Sequence, residues 1–143
     1  MILNERQYGI TKTKVKEFEQ AIFKLNNSPK PTDINDQIYL QANLDALNSQ
    51  LEDFRDEIAE YEELKKGDIK HLKLDSFEHL PEALIKARII RGLTQAQLAE
   101  IMNVKQQQVQ RDETNKYASA SFTKLLNIQK ALGLEIREEL IFK

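Results

Sequence analysis

The stretch from Gly92 to Gly133 constrains the fold of this chain most, because its caps, breaks and apolar positions leave room only for short helices joined by tight turns. It reads G-L-T-Q-A-Q-L-A-E-I-M-N-V-K-Q-Q-Q-V-Q-R-D-E-T-N-K and closes on S-F-T-K-L-L-N-I-Q-K-A-L-G. The Thr94 hydroxyl is suited to accept a backbone N–H of the helix that follows. Leu98, Ala99 and Met102 recur at helical spacing and predict a short helix with one apolar stripe. Asn103 ends it, since Asn tolerates the left-handed conformation of a tight interhelical turn. Val104 and Val109 are expected to bury the inner face of the next helix, with Gln106, Gln107, Gln110 and Arg111 pointing outward. Ser121 is expected to cap a last helix, Phe122 to Leu132.

A short helix crowded with glutamines and an arginine makes a poor core. It suits the edges of bases, because Gln bonds bidentately to adenine and Arg to guanine. The stretch resembles the lambdoid repressor/Cro class of helix-turn-helix proteins, the xenobiotic-response-element family. The likeness covers about Leu80 to Gly133 and rests on Arg88, Gly92, Thr94-Gln95, Leu98-Ala99, Val104, Val109, Glu113 and Ala131-Leu132-Gly133. It implies five short helices around one small core, the third of them, about Gln106 to Glu113, lying in the major groove of double-stranded DNA. By that likeness Gln106, Gln107 and Arg111 face bases, and Gln95 bonds a phosphate or braces Gln106. Arg88 and Glu113 match a pair that forms an internal salt bridge in the family. Lys116, Tyr117 and Ser119 sit where the following loop approaches the DNA backbone, and Lys105 is expected to add charge beside it. The chain departs from the family pattern where Asn103 and Asn115 replace frequent glycines, Lys105 a Ser/Thr cap and Ala120 a frequent proline. Asp112 puts a negative charge near the DNA side.

A net charge of −2 hides an uneven distribution. Residues 80–133 carry eight Lys/Arg against four Asp/Glu, whereas residues 1–79 carry eleven against sixteen. A basic C-terminal half behind an acidic arm fits a chain that binds nucleic acid with one part only. The 143 residues suit one small domain with an extension, and 41% hydrophobic content supports a modest core. With no cysteine there is neither a disulfide framework nor a thiolate metal site. No apolar run approaches a membrane span and the first residues lack a signal-peptide core, so the chain is expected in the cytoplasm and away from membranes.

The arm carries a heptad run. Leu40, Leu44, Leu47, Leu51, Phe54, Ile58 and Tyr61 alternate at spacings of four and three, with Leu64 close to continuing them. Asp45, Glu52, Asp53, Asp56, Glu57, Glu60, Glu62 and Glu63 form an acidic face between them. Upstream, Val15, Phe18, Ile22 and Leu25 repeat the spacing, and Asn26 to Thr32, with Pro29 and Pro31, bars helix continuation. The expected element is an antiparallel helical hairpin, about 10–26 against about 33–66. At ~1.5 Å per residue the second helix is roughly 50 Å long, about twice its partner, so part of its stripe needs another surface. A second copy of the chain is the simplest supply, and a homodimer is expected.

The organisation read from the sequence is therefore an arm over 1–67, a linker or short strand over 68–79, a helix-turn-helix domain over 80–134 and a tail or short strand over 135–143. The fold class is mainly all-α, with possible strands near 69–74 and 135–142 that would pair with each other. No catalytic constellation appears. His71 and His79 have no third ligand at a usual metal spacing, the arm carboxylates form a solvated helix face, and four glycines include no phosphate cradle. No enzyme activity, metal or cofactor is expected. Two functional classes fit: a repressor whose acidic arm dimerises, or an antitoxin whose arm also blocks a basic toxin. A coiled-coil adaptor that keeps an inactive head is the alternative without DNA.

Overall fold

The computed structural model describes residues 1–143, which divide into two compact units, Met1–Glu63 and Leu64–Lys143. The chain is all-helical: α1 (Glu5–Asn27), α2 (Ile34–Lys65), a 3-10 turn (Phe77–His79), α3 (Leu80–Ile90), α4 (Gln95–Ile101), α5 (Gln106–Thr114) and α6 (Phe122–Ala131). No helix is long and apolar enough to cross a membrane.

In the first unit α1 and α2 form a hairpin. α1 starts at Glu5, five residues ahead of the start expected from the apolar repeat, because Asn4 caps it by accepting the Gln7 N–H at 2.9 Å. The turn at 28–33 is closed by Asp33, whose carboxylate accepts the Asn35 and Asp36 N–H groups at 2.8 and 3.3 Å. Along the hairpin Tyr8 packs on Tyr61 and Phe18 meets Phe54 edge-on, each with ring centroids 5.3 Å apart. Arg55 reaches Glu19 at 2.8 Å and the Tyr61 hydroxyl donates to Glu5 at 3.0 Å. Of the heptad positions, Leu51, Tyr61 and Leu64 are buried and the rest are half-buried. The fully exposed apolar residues of α2 lie outside the seam, at Ile34, Ile38 and Tyr39 in its first two turns.

The second unit packs α3 to α6 around Leu84, Ile85, Leu98, Val109, Ile128 and Leu132. Four α-helices and a 3-10 turn stand where the family likeness implies five helices. Each of the four ends in the same Schellman motif, in which the third residue past the helix closes a six-residue loop onto a carbonyl of the last turn. The pairs are Leu93 to Arg88, Val104 to Ala99, Tyr117 to Asp112 and Leu134 to Gln129. The left-handed residues of these motifs are Gly92, Asn103, Lys116 and Gly133, and Tyr117 after Lys116 is left-handed too. Asn115 has φ −85°, so the left-handed step falls one residue later than its Gly-like position suggests. Thr94 forms a full capping box with Gln97, and Ser121 caps α6 through the Lys124 N–H.

Three expectations are corrected here. Residues 67–74 and 134–143 form no strand. Neither segment has a ladder partner, and a lone two-stranded pair would be marginal in water. Val104 is 39% exposed, because it lies in the turn before α5 and only Val109 occupies the inner face.

A Cβ added at Gly92 meets nothing within 4 Å, while its φ is +70°. Gly92→Ala should therefore destabilise through backbone conformation alone, by about 1–2 kcal/mol. Gly92→Asn should cost less, as urea denaturation of the two variants would show.

Candidate nucleic-acid interface

α4, the turn at Asn103 and α5 form the compact helix pair on which the candidate site is built. At 100° per residue, Gln106, Gln110, Gln107 and Arg111 span an outward arc of about 140° on α5. All four are exposed, and no hydrogen bond or ion pair within the protein engages their side chains. Val109 and Glu113, 3% and 1% exposed, lie on the arc that adjoins Gln106 and faces the core. A polar face with unspent donors and acceptors on a helix anchored from behind is able to pair with an external polar surface.

The flanking residues divide into two groups. Lys105 begins α5 as an exposed N-cap with no side-chain capping bond, so its ammonium is uncommitted. Ser119 is exposed in the loop after α5, and Lys116 lies there with its ammonium 3.3 Å from Glu82. Glu82 is held below the usual carboxylate range by Lys86, despite partial burial, and Lys116 adds to the effect. Gln95 and Tyr117, by contrast, lie inside the domain. Gln95 is 4% exposed and its amide donates to Glu113 at 2.8 Å, which turns it into the domain. Tyr117 is 5% exposed; burial, then the Glu113 carboxylate, pushes its hydroxyl pKa up. Its ring is drawn in because two successive left-handed residues, Lys116 and Tyr117, fold the chain back after α5.

Asp112, which the sequence places near the DNA side, is neutralised within the domain. Its carboxylate accepts the Gln108 amide at 3.0 Å and forms an ion pair with Lys124 of α6. This removes its charge from the α5 face and takes Gln108 and Lys124 out of the uncommitted set. Asp112 and Lys124 are twelve residues apart on different helices, so no local pattern signals the pair. Arg91 is committed as well, donating to the Leu132 and Gly133 carbonyls at 3.0 Å each, at the C-terminus of α6.

Residues 84–138 match a family model described as helix-turn-helix. The second unit carries a helix-turn-helix domain of the xenobiotic-response-element family. No curated protein and no solved structure matches the chain significantly. The helix-turn-helix domain makes this chain a DNA-binding transcription regulator, and the domain is a regulatory module, not a catalytic one. No group of three or more metal-ligating side chains occurs in the chain.

Within the helix-turn-helix domain, orientation is set by one buried cluster. Arg88 of α3 meets Glu113 of α5 through two parallel N–H···O bonds, and its third donor reaches the Leu93 carbonyl at 2.7 Å. Gln95 of α4 completes the cluster on Glu113. No buried polar side-chain atom lacks a partner. Glu113→Ala should cost about 3–5 kcal/mol, because it leaves the Arg88 guanidinium buried and unpaired. The double substitution Arg88→Met/Glu113→Leu should recover most of that loss. Urea midpoints of the two variants decide; equal losses would mean the burial cost is not the cause.

Proposed function

We propose that the protein is a sequence-specific repressor that reads a palindromic operator as a homodimer, with α5 in the major groove. The observation that carries this reading is the outward arc of Gln106, Gln107, Gln110 and Arg111, four exposed side chains without partners in the protein. Gln106 and Gln107 match adenine, Arg111 matches guanine, and each bidentate pair contributes ~1–3 kcal/mol of discrimination. Lys105 and Ser119 flank the arc and supply a cation and a hydroxyl for phosphates, with Lys116 able to leave Glu82 for the same role. A single head offers only a few such contacts. Two heads about one DNA turn apart, ~34 Å, read a half-site each and make the operator palindromic. The amphipathic α2 of the arm, with its exposed Ile34, Ile38 and Tyr39, supports association of the chain.

A second reading has its own observation. Residues 52–63 hold seven carboxylates and a single cation, Arg55. Such a face fits a basic protein partner, as it would in an antitoxin that blocks a toxin and represses their shared operon. Relief by this chain of the growth arrest caused by a small basic protein encoded beside it would favour that reading.

Arg111→Ala should weaken binding to the selected operator roughly 5- to 150-fold, the equivalent of about 1–3 kcal/mol. Its loss on random duplex should be much smaller, since phosphate contacts carry non-specific binding. Equal losses on both DNAs, measured by titration at fixed salt, would remove Arg111 from base reading. Lys105→Ala should act the other way, weakening operator and random DNA alike and lowering the salt slope by about one ion.

A further inference from the structure

The last residues of the chain are apolar and uncovered. Leu140, Ile141 and Phe142 are 86%, 81% and 94% exposed, and Glu138 and Glu139 precede them directly. Three consecutive large apolar residues in water mark an interaction segment more often than a neutral surface. The same unit carries an open groove of about 580 Å³ between the turn after α4 and one face of α6, lined by Ile101, Met102, Val104, Lys124, Lys130 and Ala131 among others. Ile101 and Val104 are 54% and 39% exposed there. The lining includes two lysines and no carboxylate. Lys130 has no ion-pair partner in the protein, and Lys124 is held beside Asp112. Segment and groove are thus complementary twice over, apolar to apolar and Glu138-Glu139 to Lys130.

We infer that this groove receives the C-terminal segment of a second copy of the chain, each tail filling the other copy's groove. The chain's own tail is led away from it. Leu134 is fixed at both backbone groups, its N–H on the Gln129 carbonyl at 3.1 Å and its carbonyl on the Gln129 amide at 3.1 Å. Arg91 holds the Leu132 and Gly133 carbonyls just before it. Gln129 lies about 200° round α6 from Asn127, which lines the groove, so the tail leaves from the opposite side of the helix. A second copy meets the groove without breaking those bonds, and the exchange is reciprocal, as a two-fold dimer requires. The inference rests on the dimer reading above and names its interface.

The absence of cysteine permits a direct test with full-length chains. Thr123→Cys places a thiol in the groove and Lys143→Cys one beyond the apolar triplet; both positions are exposed, and unchanged far-UV circular dichroism would confirm the fold. Oxidising a mixture of the two variants should give a disulfide-linked pair containing one of each, several-fold above either variant alone. Leu140→Glu/Phe142→Glu in the Lys143→Cys chain should abolish that link. Lys130→Glu should reduce it, and Glu138→Lys/Glu139→Lys in the partner should restore it. The proposal is overturned by equal linkage in all pairings, by no linkage, or by a chain carrying both cysteines that closes on itself as a monomer. Sedimentation of the wild-type protein separates the two levels. A dimer without the 123–143 link removes the tail interface and leaves the dimer reading, whereas a monomer on operator DNA removes both.

Discussion

Arg88 and Glu113 are 3% and 1% exposed, and each charge is tolerable there only because of the other. Taking an ion from water into the interior costs several kcal/mol, which is recovered only with good geometry and with the remaining donors satisfied. Both conditions are met by the parallel bonds of the pair, the Leu93 carbonyl and the Gln95 amide. The consequence is positional as much as energetic. The cluster ties α3, α4 and α5 to a single point, and Glu113 sits on the inner arc of α5, so fixing it fixes the rotation of that helix about its own axis. With Val109 and Glu113 held against the core, Gln107 and Arg111, about 120° and 160° round the helix from Glu113, are turned outward.

The turns complete what the cluster begins. Four Schellman closures let helices of seven to eleven residues end abruptly, and after α3 and α4 the next helix starts within four residues. Two of the left-handed positions are glycine, and the other two are Asn103 and Lys116, where a side chain must be carried through an unfavourable conformation. Lys116 and Tyr117 do this in succession, and the outcome is useful. The tyrosine ring is folded under the domain while the lysine stays at the surface beside Glu82. The neutralisation of Asp112 by Gln108 and Lys124 belongs to the same economy, since a carboxylate next to an anionic duplex would otherwise oppose binding.

Much of this was legible in the sequence where the signal was local. Thr94 and Ser121 announced two helix starts, Asn103 a left-handed turn, and the glutamine run an outward face, because caps, turns and periodicity are decided within a few residues. What depended on distant partners was not legible. The family likeness placed Gln95 and Tyr117 toward the DNA, yet both are interior, because Glu113 recruits one and the double left-handed step recruits the other. Val104 looked apolar enough for the core and is exposed. The segments near 69–74 and 135–142 were possible strands with only each other to pair with, and an isolated pair is marginal in water. In the arm, the heptad positions identified the paired helices, while Asn4 set a start that the apolar repeat could not mark.

Base reading by α5 is what the dimer, the operator and the flanking contacts all depend on. Its most direct test is selection from a pool of random duplexes on the purified protein, with Gln107→Ala/Arg111→Ala run in parallel. The wild type should enrich a palindrome, and the double variant should lose that enrichment. Failure of any sequence to enrich at low salt, or the same sequence emerging from both proteins, would contradict it.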